Sequence, residues 1–288
     1  MKKLLILAAA LAFATTATAQ SLAKESGADE VIRYWDNSTA PHSSCDTEPE
    51  KISESKDRYK ASHTSETVFY IFKPEKATGH SLVIFPGGGY KTVNLNFGWA
   101  KWLADQGITT MVVKYRLPNG HAEVPLEDAA AAIEYMRDNA ARLGIDPTKV
   151  GVSGSSAGGH LAAWSSVVLK GKQKPNFAVL HYPVISGYIW TGKPQWSTFE
   201  ELLGKWRTPA QIDEHSVDLL VDGDTPPTLI LHCDDDPLAP TINSMLYYKA
   251  LKHHGIKASM HIFPSGGHSW KDYKKEWTEA TKEWVLSF

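Results

Sequence analysis

Short apolar runs alternate with helical patterns through residues 65–288. The runs at residues 67–72, 81–85, 109–115, 149–153, 177–182, 228–233 and 258–263 have the length and the β-branched content of buried strands. Residues 99–105, 127–142, 157–169, 240–254 and 271–286 have the spacing or the alanine content of helices. This alternation predicts βαβ units, and therefore a mostly parallel central sheet flanked by helices, within one domain over residues 65–288.

The alternation fails in two regions. Residues 20–64 are polar and show little periodicity, which predicts an extended arm in which residues 31–35 either form a short edge strand or lie across the body. Residues 183–225 predict an aromatic-rich insertion between the late strands, with short helices at 198–203 and 209–214. The aromatic side chains of this insertion have two compatible interpretations: they cover a site, or they hold the insertion to the body.

Composition narrows the classes of function. With 288 residues, of which 42% are hydrophobic, the chain is long enough to bury a large core. Its net charge of -2 provides no basic surface for nucleic acid or for an anionic membrane. The ten tryptophans suit either an aromatic core or the binding of flat ligands such as sugar rings, because indole is amphipathic.

Residues 1–19 have the parts of a secretory signal peptide. Lys2 and Lys3 precede an apolar run at residues 4–14, which is too short to span a bilayer, and an A-x-A cleavage site ends at Ala19. We therefore expect an exported protein, periplasmic or secreted, and no later apolar run is long enough for a membrane span. In an oxidising compartment Cys45 and Cys233 permit one disulfide, which the sequence does not decide.

The principal chemical motif is G-x-S-x-G at residues 154–158, with Ser156 at its centre. A strand is predicted before the motif and a helix after it, and in this context the turn exposes a strained nucleophilic serine. The flanking glycines allow the neighbouring backbones to pack closely. Ser153 and Ser155 lack glycines at this spacing, so the motif predicts that Ser156 is the nucleophile.

A second glycine-rich turn, P-G-G-G-Y at residues 86–90, follows the strand predicted at residues 81–85. Glycines place main-chain amides beyond the strand end without side chains in the way, although a flexible turn has the same composition. This turn and Ser156 both follow strands of the predicted parallel sheet, and active groups gather beyond the carboxyl ends of such strands. We therefore predict that the turn forms an oxyanion hole.

A serine hydroxyl needs a base within hydrogen-bond reach and a third group that orients this base. His268 follows two glycines in the loop after the last predicted strand, which suits the base. The acid is expected at the end of the preceding strand, where Asp234, Asp235 and Asp236 compete. An aspartate run without a spaced histidine or glutamate is not typical of a cation site, so we predict no metal.

Five motifs carry a resemblance to a known family: P-G-G-G-Y at 86–90, Y-R-L-P-N-G-H at 115–121, V-P-L-E-D-A at 124–129, S-A-G-G-H-L-A at 156–162 and G-G-H-S-W at 266–270. Through these motifs, residues 65–288 resemble the α/β-hydrolase superfamily. More narrowly, they resemble its bacterial carbohydrate-esterase branch, which includes acetylxylan esterases and feruloyl-esterase-like proteins. Pro86 departs from the histidine of an H-G-G-G motif, and Cys233 departs from a glycine beside the acid loop.

The resemblance implies a serine esterase that works without a cofactor. In related enzymes the acid follows an H-G-x-x-D pattern with a proline four residues later, which selects Asp236. His268 would take the proton of Ser156 as the hydroxyl attacks an ester carbonyl. The implied oxyanion donors are the amides of Gly88, Gly89 and Ala157.

The implied substrate is an esterified polysaccharide, in the first place acetylated xylan. The candidate substrate-binding residues are Tyr90, His121, Trp190 and Trp270. Three other functions stay open at this point: a feruloyl esterase, an exopeptidase of the same fold, and a sugar-binding protein without catalytic activity.

Overall fold

The computed structural model describes residue 22 and residues 24–55, 58–189 and 198–288. Its strands are β1 (Glu30–Asp36), β2 (Lys51–Ser55), β3 (Arg58–Ser62), β4 (Glu66–Phe72), β5 (Gly79–Phe85), β6 (Val93–Leu95), β7 (Thr109–Lys114), β8 (Ile145–Ser155), β9 (Ala178–His181), β10 (Thr228–Cys233) and β11 (Ala258–Phe263). Its helices are α1 (Phe97–Asp105), α2 (Glu123–Asp138), α3 (Ala140–Leu143), α4 (Ala157–Val168), α5 (Thr198–Leu203), α6 (Pro209–Asp213), α7 (Ile242–His253) and α8 (Lys274–Leu286). Short 3₁₀ helices lie at Gly171–Gln173, Val217–Leu219 and Lys271–Tyr273.

The central sheet has eight strands in the order β1-β4-β7-β5-β8-β9-β10-β11. The pairs β1–β4 and β4–β7 are antiparallel, and all pairs from β7 to β11 are parallel. Every side chain of β7, β9 and β10 is buried, as expected of parallel strands that are covered on both faces. The prediction of a mostly parallel sheet flanked by helices is confirmed.

The parallel strands end at one edge of the sheet, where their following loops meet. The loop after β5 contains the triple glycine, and the turn after β8 contains Ser156. The loop after β10 contains the three aspartates, and the loop after β11 contains His268. The order of strands in the sheet therefore gathers segments that are far apart in the sequence.

Helices next to this edge are joined by aromatic contacts. The ring of Trp270 lies 4.6 Å from that of Trp99 on α1 and 6.3 Å from that of Trp277 on α8, measured between centroids. Helices α2 and α4 pack against each other and against β8. The helix that follows Ser156 is thus fixed between the sheet and a second helix.

The segment that we expected to be an extended arm, residues 20–64, contains β1, β2 and β3. Strand β1 pairs with β4 at the edge of the central sheet, and β2 and β3 form a small antiparallel sheet with β6. In β3 the side chains of Tyr59 and Ala61 are buried, and those of Arg58 and Lys60 are exposed. Because a strand needs apolar residues only at alternate positions, this segment is polar on average and still folds. The expected signal peptide lies outside the described residues.

A buried ion pair ties the N-terminal segment to the body. The guanidinium of Arg116, which is fully buried, donates to Asp128 Oδ1 at 2.8 Å from Nη2 and at 3.0 Å from Nε. It also donates to the carbonyl oxygen of His42 at 2.6 Å, and the indole of Trp35 donates to Asp128 Oδ1 at 2.6 Å. The carboxylate of Asp128 therefore binds both Trp35 of β1 and Arg116, two residues after the end of β7.

The insertion between β9 and β10 contains α5 and α6 at nearly the predicted positions. Phe199 of α5 is buried, and its ring lies 5.3 Å from that of His160 on α4. Trp206 is 85% exposed, whereas Trp190 and Trp196 lie outside the described residues. Within the described ranges, no helix has both the length and the apolar character that crossing a bilayer requires.

The two cysteines do not form the disulfide that the sequence left open. Cys45 is exposed and Cys233 is buried, and both are free thiols. The thiol of Cys233 donates to the carbonyl oxygen of Ser269 at 3.2 Å, and burial raises its pKa to about 11. Cys233 is therefore a packing residue beneath the loop of His268.

Candidate active site

Ser156 occupies a strained turn between β8 and α4. Its φ is 56° and its ψ is -121°, in a region that non-glycine residues rarely adopt. The carbonyl oxygen of Ser156 accepts hydrogen bonds from the amides of His160 at 3.0 Å and Val184 at 3.1 Å, and the amide of Ser156 donates to the carbonyl oxygen of His181 at 3.1 Å. These backbone bonds hold the serine in its strained conformation.

The glycines of the G-x-S-x-G motif are required by close backbone contacts. A Cβ atom at Gly154 would lie 2.0 Å from the carbonyl oxygen of Gly158, and one at Gly158 would lie 2.0 Å from that of Phe85. No side chain fits at such distances. The spacing of the motif therefore reflects the packing of α4 against the ends of β5 and β8.

His268 and Asp236 form a hydrogen-bonded pair across two loops. The Nδ1 atom of His268 lies 2.7 Å from Asp236 Oδ2. The carboxylate of Asp236 is fully buried, whereas the imidazole is 18% exposed. Since a carboxylate accepts, His268 donates from Nδ1, and its Nε2 atom is left as the basic nitrogen.

The Asp236 carboxylate is held by several donors. The amides of Leu238 and Ala239 donate to Oδ1 at 2.8 and 3.0 Å, and Nε2 of His232 lies 3.1 Å from Oδ2. Burial raises the pKa of Asp236, but the hydrogen bonds from His232 and His268 outweigh burial and hold the pKa well below its ordinary value. Asp236 therefore stays ionised at neutral pH.

The neighbouring aspartates have other positions. The carboxylate of Asp235 accepts from the amides of Gly267 at 2.7 Å and Gly266 at 3.3 Å. The amide of Asp234 donates to the carbonyl oxygen of Phe263 at 2.7 Å. Of the three candidates, Asp236 is the one that the structure pairs with His268, and Asp235 fixes the backbone just before that histidine.

A cavity of about 360 Å³ lies at the carboxyl edge of the sheet. Its described lining includes Gly88, Gly89, Ser156, Tyr182, His268 and Trp270. The structure thus brings the predicted nucleophile, the predicted base and two glycines of the predicted oxyanion turn to one space. Ala157, the third predicted donor, is fully buried at the first position of α4.

The conformation of the glycine-rich turn at residues 86–90 requires glycine at residue 88. Gly88 has a φ of 141°, and a Cβ atom there would lie 2.0 Å from the carbonyl oxygen of Thr92. The amides of Lys91 and Thr92 each donate to the carbonyl oxygen of Gly88 at 3.1 Å. Beyond β5 the chain therefore folds into a tight turn without a side chain at its centre.

The predicted substrate-binding residues lie in different places. Trp270 lines the cavity, but Tyr90 is only 1% exposed and binds His160, so its prediction is corrected to a buried role. His121 lies in the turn before α2, 3.6 Å from Glu123, and is not among the described lining residues. Trp190 lies outside the described residues.

Two residues of the site were missed by sequence reasoning. Tyr182 follows β9, has a φ of 36°, and its ring lies 4.6 Å from that of His268. His232 lies on β10, and its Nε2 atom donates to Asp236 Oδ2 at 3.1 Å. The motif H-C-D-D-D showed that His232 is near the acid, but not that its ring turns toward Asp236.

A second cavity, of about 70 Å³, adjoins the first one and shares Tyr182 and Trp270 with it. Its lining includes Ser153 and His181, whose Oγ and Nε2 atoms are buried without a hydrogen-bond partner in the described structure. Burial lowers the pKa of His181 to about 3, so its imidazole is neutral at pH 7. Across the described ranges, no group of three or more His, Cys, Asp or Glu side chains is placed to hold a metal ion.

The fold and the site define an α/β protein with a serine on a strand-to-helix turn and a His–Asp pair on the same cavity. A protein family described as having the alpha/beta hydrolase fold matches residues 82–272 of this chain. The chain belongs to this α/β-hydrolase family, which confirms the resemblance inferred from its motifs.

Individual relatives allow a narrower comparison than the family as a whole. An acetylxylan esterase of Xylanibacter ruminicola is 36% identical over 228 residues, which cover 75% of this chain and 47% of that protein. An ethyl acetate hydrolase of Pseudomonas putida is 27% identical over 270 residues, which cover 84% of this chain and 82% of that protein. The chain thus spans about half the length of the Xylanibacter relative.

A solved structure resembles the chain over most of its length. The crystal structure of an acetyl ester-xyloside bifunctional hydrolase from Caldicellulosiruptor lactoaceticus matches with a TM-score of 0.71 at 31% identity. The match covers 90% of this chain and 96% of that chain. The similarity therefore covers more of the chain than the family match at residues 82–272.

Proposed function

We propose that this chain is an exported serine carboxylesterase that removes acetyl groups from plant polysaccharide. The observation that carries the proposal is one cavity lined by both Ser156 and His268, with Ser156 at a strained φ and His268 paired with Asp236. A serine exposed on a strained turn next to an oriented imidazole is the arrangement that activates a hydroxyl as a nucleophile.

The reaction has two steps. Nε2 of His268 takes the proton of Ser156 as the serine oxygen attacks the ester carbonyl, and the imidazolium returns this proton to the leaving sugar hydroxyl. Asp236 stabilises the imidazolium, because it is ionised and accepts from Nδ1. A water molecule then attacks the carbonyl of the acetyl-enzyme. Nε2 of His268 takes a proton from this water and gives it to the oxygen of Ser156, which frees acetate.

The carbonyl oxygen becomes negatively charged in both steps. Amides of Gly88, Gly89 and Ala157 stabilise this charge, since the turn and the first residue of α4 flank Ser156. Removal of one such donor in other hydrolases raises the barrier by about 3 kcal/mol. The glycines keep these amides free of side chains, in agreement with the close contacts around Gly88.

The support for an acetyl group and for a xylan-type chain comes from the relatives. These relatives include an acetylxylan esterase, an ethyl acetate hydrolase and an acetyl ester-xyloside bifunctional hydrolase. In addition, Trp270 lines the cavity, and an indole ring packs well against a sugar ring. These observations favour a carbohydrate ester over a peptide.

Export is supported by the pattern of residues 1–19. We expect the mature protein to begin at Gln20 and to reach the periplasm or the medium. Sequencing the N-terminus of the protein from a secreting bacterial host checks this, and a mature chain that retains residues 1–19 contradicts it.

The activity is tested with purified protein, acetylated xylan and 4-nitrophenyl acetate. The parent protein should release acetate from xylan, and Ser156→Ala should lower the rate by about 10⁴-fold or more, because the nucleophile is lost. Ser165→Ala is a matched control, since that hydroxyl binds Leu161 within α4 at 2.6 Å. A serine-directed phosphonate should label the parent at Ser156 alone.

The outcome also separates the alternatives. Release of ferulate but not of acetate from a panel of esterified polysaccharides would show a feruloyl esterase and contradict the proposed acetyl specificity. Sugar binding without ester hydrolysis and without phosphonate labelling would show a sugar-binding protein that has no esterase activity.

A further inference from the structure

Tyr90, the last residue of the turn at 86–90, has a strained backbone and a buried side chain. Its φ is 59°, and it is 1% exposed. A non-glycine residue keeps such a φ only where its surroundings hold it. The contacts of the Tyr90 side chain therefore bear on the conformation of the glycines that precede it.

The hydroxyl of Tyr90 is bonded to the nucleophile helix. It lies 2.9 Å from Nδ1 of His160, which is fully buried on α4. The amide of His160 in turn donates to the carbonyl oxygen of Ser156 at 3.0 Å. One hydrogen bond thus joins the end of the glycine turn to the first turn of the helix that begins after Ser156.

The direction of this hydrogen bond follows from the other ring nitrogen. Nε2 of His160 lies 2.8 Å from the carbonyl oxygen of His215, which only accepts, so Nε2 carries a hydrogen. Burial lowers the pKa of His160 to about 4, and the neutral ring therefore has Nδ1 as an acceptor. Tyr90 donates to Nδ1, and the insertion, which contains His215, is bonded to the same imidazole.

A second tyrosine fixes the other end of the turn. The hydroxyl of Tyr115 donates to the carbonyl oxygen of Pro86 at 2.8 Å. The rings of Tyr90 and Tyr115 are in edge contact, with their centroids 6.2 Å apart. Both ends of the turn are thus held by buried hydroxyl groups, and its glycines lie between them.

We propose that Tyr90 and His160 are positioning residues, which set the distance between the amides of the glycine turn and the oxygen of Ser156. The inference rests on the proposed esterase function. An oxyanion donor works only at about 2.7–3.1 Å from the oxygen that becomes charged. The Tyr90–His160 bond acts directly on this distance, because it joins the segment with the donors to the segment with the nucleophile.

The first test is Tyr90→Phe, which removes one hydroxyl and keeps the ring. We expect kcat for 4-nitrophenyl acetate to fall about tenfold to a hundredfold, with KM changed by less than about threefold. The affinity for phenylboronic acid, which forms a tetrahedral adduct with the serine, should fall by about the same factor as kcat. Tyr247→Phe, at a fully buried tyrosine of α7, is the matched control and should keep the parent kcat.

A double-mutant cycle tests whether the bond to His160 is responsible. His160→Phe should lower kcat at least as much as Tyr90→Phe, because it removes the acceptor and the bond to the insertion. In the His160→Phe background, Tyr90→Phe should have no further effect on kcat. Equal losses from Tyr90→Phe in both backgrounds would overturn the inference.

The outcomes distinguish this inference from the proposed function. A parent protein that hydrolyses no ester contradicts the proposed function itself. An active parent with an unchanged kcat in Tyr90→Phe overturns the positioning role alone. If Tyr90→Phe and Tyr247→Phe both lose kcat, and the loss in each follows a lower midpoint of unfolding, the positioning role is overturned as well.

Discussion

The carboxylate of Asp236 is shared by two imidazoles. Its Oδ2 atom lies 2.7 Å from Nδ1 of His268 and 3.1 Å from Nε2 of His232, and its Oδ1 atom accepts from two backbone amides. Nε2 of His232 also lies 2.8 Å from the carbonyl oxygen of Ala239, so this nitrogen donates to both acceptors. A carboxylate held at both oxygens cannot rotate, and the orientation of His268 is fixed with it.

Asp236→Asn tests this arrangement. An amide in this place can turn its NH₂ group toward Nδ1, which would stabilise the wrong tautomer of His268, and we expect kcat to fall by about 10⁴-fold at pH 7. Steady-state kinetics with 4-nitrophenyl acetate measure the effect. Asp235→Asn is the control, since the single amide oxygen of asparagine can keep the 2.7 Å hydrogen bond from the Gly267 amide, and only the 3.3 Å bond from Gly266 is lost. Equal losses in the two variants would contradict the pairing of Asp236 with His268.

At the scale of residues, the sequence predicts backbone roles better than side-chain directions. The motifs around Ser156 and at residues 86–90 report backbone geometry, and the structure has a strained turn at Ser156 and a tight glycine turn beyond β5. The prediction that Tyr90 binds substrate differs from the structure, in which its hydroxyl is bonded to the buried ring of His160. A motif does not show the direction in which a side chain turns. Asp236 was selected only through the family resemblance, since adjacent aspartates are equivalent until the loop folds.

At the scale of elements, the predicted strands and helices from residue 66 onward are present, with ends that shift by a few residues. The prediction for 228–233 agrees with β10 (Thr228–Cys233) and that for 258–263 with β11 (Ala258–Phe263). Buried parallel strands are continuous apolar runs, which the sequence displays openly. The strands β2 and β3 were missed because they are half exposed and short, and their partner β6 follows later in the chain.

The buried pair of Arg116 and Asp128 adds to the pairing of β1 with β4, because Trp35 of β1 donates to Asp128. Asp128→Ala leaves the guanidinium buried without its carboxylate, and we expect the free energy of unfolding to fall by about 3–5 kcal/mol. Urea titration measures this loss. Asp222→Ala is the matched control, because its ion pair with Lys170 is exposed and should contribute less than about 1 kcal/mol. Similar losses in both variants would show that the buried pair does not anchor the segment.

At the scale of the whole molecule, two buried histidines link stability to pH. Burial lowers the pKa of His160 to about 4 and that of His181 to about 3, whereas an unfolded chain has a histidine pKa of about 6.5. Below pH 6.5 the unfolded chain binds protons that the folded chain does not. The stabilisation is therefore complete above pH 6.5 and is lost as the pH falls toward 4 and 3.

His181→Phe should make the protein less sensitive to acid. In this pH range each such histidine lowers the free energy of unfolding by about 1.4 kcal/mol per pH unit. Phenylalanine has a similar shape and no titrating nitrogen, and it also removes the unpartnered Nε2 atom. Urea titrations between pH 7 and 4.5 should show a slope smaller by about this amount. A slope equal to that of the parent would contradict the assignment.

The pairing of β1 with β4 has a practical consequence for recombinant production. Six consecutive side chains of β4, Thr67–Phe72, are buried, five of them hydrophobic, and β1 pairs with the outer edge of this strand. A truncated chain that starts at residue 65 would present bare amides and carbonyls along a hydrophobic ribbon, which is a template for intermolecular association. Expression from residue 20 should give monodisperse material, whereas the shorter version should precipitate or form inclusion bodies.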